Sequence, residues 1–334
     1  MSRVFILGAG ASRFAGYPLG LDLWPFVRDS PTPSVKAKQS AQLVIGAMDR
    51  ILKLIPPKEH EQPNLEEIFT LLDLADRGTE MLGLAEIKWK AVRPCVIGMI
   101  TEAFLWHEYQ FEDSSRAKGN HMSARVLAAW TARLHGEDTI VTFNWDLLHE
   151  AGLWRAHKWH YADGYGFVCG DAPPGIHSPV KLLKLHGSVN WAQANEEDCD
   201  PSVEYKDTFF PPTRDSREIY RKGAATVNEG RNLIIPSYLK DVSANKLLLG
   251  LWNQASEAIA NATEVIVVGF QLQPSDALAR HLLGSAVLRN SRLSKITVVS
   301  PRGRDHWTDF CRKLGKMREL YPMTFEDWVL KFGG

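Results

Sequence analysis

The chain has 334 residues, 45% of them hydrophobic and 23% charged, enough to bury a core as one large α/β domain with an insertion or as two domains. Its 39 Lys and Arg balance its 39 Asp and Glu, which argues against a protein that coats nucleic acid, because neutralising phosphates takes a surplus of basic side chains. No run approaches the roughly 20 apolar residues of a membrane span, and Cys95, Cys169, Cys199 and Cys311 are far apart with no Cys-x-x-Cys pair. The expected setting is the cytoplasm, with reduced thiols, no disulfide framework and no metal site.

In chain order, the first strand is expected at Arg3 to Leu7. The apolar stretch Val4 to Ala11 is too short and too broken by glycine for a signal peptide. About 130 residues without a convincing strand follow, far more than a crossover needs. Helical periodicity fills them at Ala41 to Leu54, Leu65 to Ala75, Ile87 to Phe111 and Ser123 to His135, with Asn64 and Glu67 as a start signal for the second. This defines an inserted helical lobe over 30–136.

Further candidate parallel strands are Thr139 to Phe143, Val180 to Leu185, Asn232 to Ile235, Val265 to Gly269 and Ile296 to Ser300. Helices are expected at Asn245 to Ala262, Ser275 to Arg289 and Asp305 to Arg318. The segment 192–230, rich in charge, proline and aromatics, reads as an irregular lid or small subdomain. Alternating strands and helices predict an α/β fold with a Rossmann-like, doubly wound parallel sheet.

The chemistry-bearing strings sit where these strands end, which is where open α/β sheets bind ligands. Gly8-Ala9-Gly10-Ala11-Ser12 can turn backbone amides toward a pyrophosphate. It is not the dinucleotide fingerprint, because Arg13 stands where a third glycine would be, so a plain strand-to-helix turn is the competing use. Thr142-Phe143-Asn144-Trp145-Asp146 aims an amide and a carboxylate into the crevice, for ribose hydroxyls or a carboxamide; Asp146 can equally cap a helix starting at Leu147. Lys184-Leu185-His186-Gly187-Ser188 presents an imidazole whose ordinary pKa of about 6.5 suits a general base.

The loops Gly269-Phe270-Gln271 and Ser300-Pro301 face the same edge and suit an adenosine half. His157-Lys158-Trp159-His160 has metal-like spacing but no Cys, Asp or Glu at supporting spacing within it, and reads as an aromatic loop bordering the ligand.

Taken in order, these strings resemble the sirtuin superfamily over residues 4 to 301. The resemblance implies NAD as substrate, with Asn144, Asp146 and His186 in the catalytic site and Gly8, Ala9, Gly10, Ser12, Thr142, Ser188, Gly269, Phe270, Gln271 and Ser300 as NAD contacts. The chain departs from the protein deacylases, since only Cys199 lies near the place of their four-cysteine zinc module and Leu19-Gly20-Leu21 replaces Asp-Phe-Arg. Lys184 to Trp191 and Gly269 to Asp276 are similar to strings in bacterial sirtuin-like effectors of antiphage defence.

That similarity implies an NAD glycohydrolase that releases nicotinamide and ADP-ribose when activated. Control is expected from a homo-oligomer, a separate regulatory protein such as an ATPase or an Argonaute-type partner, or both, with no membrane and no direct sequence evidence for nucleic acid. NAD-dependent deacylation and a catalytically silent NAD or ADP-ribose sensor remain the alternatives.

Overall fold

The computed structural model describes residues 2–31, 35–54, 65–76, 89–117, 121–167, 175, 177–193, 203–205, 231–233, 246–272, 276–301 and 304–332. The chain opens with β1 (Arg3–Leu7) and three 3-10 turns (Ala9–Ala11, Arg13–Ala15, Gly20–Asp22). Among the described residues five helices follow: α1 (Leu23–Arg28), α2 (Val35–Leu54), α3 (Leu65–Asp76), α4 (Trp89–Ala117) and α5 (His121–Arg133). Next come β2 (Thr139–Thr142), α6 (Leu148–Arg155), β3 (Lys181–Lys184), β4 (Gly187–Gln193), β5 (Val203–Tyr205) and β6 (Arg231–Leu233). The last third alternates α7 (Lys246–Asn261), β7 (Glu264–Val268), α8 (Ala277–Arg289), β8 (Lys295–Val299), α9 (Arg304–Lys313), β9 (Met317–Tyr321) and α10 (Phe325–Phe332).

Six strands form one sheet in the order β3-β2-β1-β7-β8-β9, every neighbouring pair parallel. The chain winds outward from β1 to β3 on one side and from β7 to β9 on the other. The order therefore reverses between β1 and β7, the switch point of a doubly wound Rossmann-like fold. Consecutive residues of β1, β2, β7 and β8 are buried, so the sheet is covered on both faces, which is why these strands read as unbroken apolar runs.

At the amino edge, Arg3 ties β1 to the start of β2. Its Nη2 lies 2.6 Å from Asp138 Oδ2 and also donates to the Arg133 carbonyl at 2.7 Å, while its Nε donates to Asp138 Oδ1 at 3.1 Å.

The helices between β1 and β2 build a second core, in which Val44, Met48 and Ile51 of α2 share a cluster with Val96, Ile100 and Phe104 of α4. That cluster also takes in Trp145, Leu147 and Leu148, so the lobe packs directly on the loop after β2. Among the described residues no helix is long and apolar enough to cross a membrane.

Three sequence expectations change. Asn232 to Ile235, expected in the parallel sheet, corresponds to β6, which pairs antiparallel with β4 in a separate three-stranded sheet. The cause lies at Gly187, whose φ of 77° swings the chain out of the main sheet straight after β3 and creates β4 as a new edge. The helix expected to run to Arg318 stops at Lys313, because Gly315 adopts a left-handed φ of 63°, and Met317–Tyr321 becomes the edge strand β9.

The His157 to His160 loop does not border the carboxyl edge. Val180 N–H donates to the Lys158 carbonyl at 3.1 Å and Lys158 Nζ donates to the Thr131 and Leu134 carbonyls, which pins it beside the amino ends of β2 and β3. The expected cap Asn64, the thiols Cys169 and Cys199, and the segment 192–230 apart from 192–193 and 203–205 lie outside the described residues.

Candidate functional site

Because the six strands are parallel, their carboxyl ends lie along one edge, and every candidate residue follows or ends one of those strands. Gly8, Ala9, Gly10 and Ser12 follow β1; Thr142 closes β2 and Asn144 and Asp146 follow it; His186 and Ser188 follow β3; Gly269, Phe270 and Gln271 follow β7; Ser300 follows β8. Thr142 and Lys184 are register partners, so Asn144 and His186 each stand two residues beyond the same rung of adjacent strands.

Asn144 is buried, and its side-chain amide donates both hydrogens to the loop after β1: Nδ2 lies 3.0 Å from the Gly8 carbonyl and 3.1 Å from Ser12 Oγ. Thr142 Oγ1 accepts the Asn144 backbone N–H at 3.1 Å and donates to the Leu7 carbonyl at 3.3 Å. With its hydrogens committed, Asn144 has its carbonyl Oδ1 left to accept from a ligand hydroxyl or water.

The glycines of the first loop serve close packing. A Cβ on Gly8 would stand 2.7 Å from the Gly269 carbonyl oxygen, and one on Gly10 would stand 2.8 Å from Gly269 Cα. Gly269 itself has φ 62° and its Cβ would meet Ala11 N at 2.4 Å. The amides expected to face a pyrophosphate are largely engaged: Gly8 donates to Val268, Gly10 to Gly269, Ala11 to Gly8 and Ser12 to Ala9. The switch point is thus bridged by backbone hydrogen bonds, and the stacked rings of Phe143 and Phe270, 4.7 Å apart, span from the β2 loop to the β7 loop.

His186 is buried against aromatic rings. Its centroid lies 5.1 Å from Phe143 and 6.4 Å from Trp252. The backbone around it is fixed by two indoles, since Trp145 Nε1 donates to the His186 carbonyl at 3.1 Å and Trp252 Nε1 donates to the Leu185 carbonyl at 2.9 Å.

Asp146 Oδ1 accepts the Leu148 N–H at 3.2 Å, a turn one residue ahead of the cap rather than the expected capping bond, since α6 starts at Leu148 and Leu147 holds its cap position. Glu108 of α4 accepts the Leu147 N–H at 2.7 Å, and Phe104 of the same helix packs edge-on against Trp145 at 5.8 Å. His107, one residue before Glu108, pairs its Nε2 with the Ala15 carbonyl at 2.8 Å. One lobe helix therefore touches both loops that frame Asn144.

Ser188 and Ser300 are buried, and Ser300 N–H donates to the Tyr321 carbonyl. Ser188 lies in β4 and is fully buried.

Several polar groups that the sequence did not single out sit under this edge. Lys184, 1% exposed, lies 2.6 Å from Glu150 Oε1, which is 2% exposed. Tyr165 Oη donates to the same carboxylate at 3.2 Å and accepts from Asn190 Nδ2 at 3.0 Å. Burial pushes the Glu150 carboxyl up from its ordinary value, and the Lys184 ammonium opposes that rise. Removing one member of such a pair typically costs about 3–5 kcal/mol, because the other charge is left buried alone.

His149 is enclosed between Trp130 and Phe325, and burial pulls its pKa down to about 4, with the Asp146 carboxylate opposing the fall. Burial alone lifts Glu102 of α4 to about 7. The one signal in the sequence for the ion pair was a lysine inside the apolar run Val180 to Leu185, on the same strand face as the buried Leu182. Among the described residues no group of three or more His, Cys, Asp or Glu could hold a metal ion.

Fold and site together define an α/β protein of the doubly wound class, with an amide and an imidazole at adjacent strand ends beside its topological switch point. No family model matches the chain. No curated protein matches it. Among solved structures, one described as "Structural Basis for the Mechanism and Regulation of Sir2 Enzymes" aligns over 99% of this chain and 90% of that chain, at 14% identity and a TM-score of 0.39.

Proposed function

We propose that this edge binds NAD and hydrolyses its nicotinamide glycosidic bond, giving nicotinamide and ADP-ribose, and that the protein is an NAD-depleting effector of antiphage defence. The observation that carries this reading is the register match that brings Asn144 and His186 to adjacent strand ends, Asn144 with its hydrogens already committed. The resemblance of the strings around Asn144 and His186 to the sirtuin superfamily, and of Lys184 to Trp191 and Gly269 to Asp276 to sirtuin-like effectors, suggests the substrate.

In the proposed reaction the C1′–N1 bond breaks and nicotinamide leaves as a neutral molecule, so no acid is needed at the leaving group. The ribose carbon passes through an oxocarbenium-like state. Water adds its oxygen to C1′, and an imidazole nitrogen of His186 takes the water proton and returns it to solvent. Asn144 Oδ1 orients a ribose hydroxyl or the water. Asp146 supports the ribose or the carboxamide. The rings of Phe143, Phe270 and Trp252 exclude bulk water and give the planar base apolar surface. Regulation by self-assembly or by a partner protein belongs to the same reading, because unchecked NAD hydrolysis would harm the host cell.

Incubation of the purified protein with NAD, alone, with an acetyl-lysine peptide, and with the products of neighbouring genes, separates the readings. Nicotinamide release without peptide supports hydrolysis. Release that requires the peptide moves the assignment to deacylation, and binding without release in every arm moves it to a sensor.

A further inference from the structure

We infer that Lys184 is a positioning residue for the proposed reaction: its ammonium, held by Glu150, fixes the Trp145 and Asp146 carbonyls and so sets the loop that carries Asn144. An ammonium has three hydrogens. All three have acceptors here: the Asp146 carbonyl at 2.5 Å, Glu150 Oε1 at 2.6 Å and the Trp145 carbonyl at 3.3 Å. Two of those acceptors belong to the backbone right after Asn144, and Lys184 itself stands two residues before His186. A single buried cation thus joins both candidate catalytic strings.

The surroundings say what this ammonium is for. Its strand neighbours Leu182, Leu183 and Leu185 are all buried, so an apolar side chain would suit the site sterically. Buried ion pairs generally add little stability over apolar groups of similar volume. An apolar residue would, however, leave the Asp146 carbonyl without this donor and the Trp145 carbonyl with the Val189 N–H, removing one of the tethers on the loop. Glu150 is in turn held by Tyr165, and Tyr165 by Asn190 of β4, so the clamp is anchored in rigid elements on three sides.

The test is the neutral double variant Lys184→Met/Glu150→Gln, which removes both charges and keeps an acceptor for Tyr165. Its kinetic arm rests on the proposed NAD hydrolysis; its exchange arm does not. The variant is expected to unfold cooperatively near the wild-type temperature. Amides of Asn144 to Leu148 are expected to exchange hydrogen faster while those of β1 and β7 keep their protection. Turnover of NAD is expected to fall about a hundredfold, the scale of an ångström-sized misplacement, with KM little changed.

Wild-type exchange in that loop together with wild-type kcat overturns the inference. So does a double variant that fails to fold, since the pair would then serve the fold rather than the loop. If the wild-type protein cleaves no NAD, the functional reading fails and the exchange arm alone decides whether Lys184 sets the loop.

Discussion

Asn144 and Ser12 form a bond that joins the two loops of the candidate site, and its strength is measurable without any substrate. Asn144→Ala removes two buried hydrogen bonds, to the Gly8 carbonyl at 3.0 Å and to Ser12 Oγ at 3.1 Å, and leaves the Gly8 carbonyl without this partner. The Gly8 carbonyl keeps the Ala11 N–H at 2.9 Å, so with about 1 kcal/mol net for each neutral bond the loss of stability is expected at about 2 kcal/mol. Ser12→Ala removes one of the same two bonds and is expected to cost about 1 kcal/mol.

Since the Asn144–Ser12 bond is counted in both single variants, the double variant is expected to fall short of the sum by about 1 kcal/mol. Urea unfolding of the four proteins, read as midpoint shifts at constant slope, gives the cycle. Costs that add to within about 0.3 kcal/mol would refute the coupling and with it the claim that Asn144 is held by the first loop. The same geometry expects Ser12→Ala to lower turnover as well, though less than Asn144→Ala.

Gly269→Ala is expected to destabilise the protein. It places a side chain at φ 62° and 2.4 Å from Ala11 N, and the left-handed backbone alone costs about 1–2 kcal/mol; an unchanged thermal midpoint would contradict the tight loop contact. Glu102 and His149 give opposing pH dependences. Glu102, with a pKa raised from 4.5 to about 7, contributes stability that is fully present below 4.5 and lost as pH rises through 7. His149, lowered from 6.5 to about 4, contributes stability that is present above 6.5 and lost as pH falls through 4.

Each gap is worth about 3 kcal/mol. The two slopes oppose each other between 4.5 and 6.5 in the wild type. Glu102→Gln should therefore expose a stability that falls on acidification through that window, and His149→Phe one that rises; denaturation series from pH 4.5 to 8 in which neither variant changes slope would refute both assignments.

Much of the sheet was legible because a doubly covered parallel strand must be apolar on both faces. Arg3–Leu7 was expected with its observed bounds, and β7 and β8 differ by one residue at each end. The edge strand β9 escaped because exposed Met317 and half-buried Arg318 and Glu319 carry no apolar run, and the helical pattern before them masks the break at Gly315. A three-residue strand such as β6 declares its propensity but not its partner, so nothing in Arg231 to Leu233 separates a parallel neighbour from the antiparallel β4.

Within the site, the strand-end position of Asn144 and His186 was readable from spacing. Their supports were not, because Lys184, Glu150, Trp252 and Glu108 meet the loops from elements far apart in the chain, and only the fold brings them there. The glycine loop reads in the sequence as amides turned toward a pyrophosphate or as a plain strand-to-helix turn; the fold adds a close approach of two backbones, a requirement that lives on residue 269 as much as on residues 8 and 10.

In the proposed reaction His186 takes the proton of the water that attacks NAD. Chromatographic measurement of nicotinamide and ADP-ribose formed from NAD by the activated wild-type protein and by His186→Ala, with no acyl peptide present, tests it most directly. Equal amounts of the two products are expected from the wild type and their loss in the variant at unchanged ADP-ribose binding; equal product release by His186→Ala would remove His186 from the reaction.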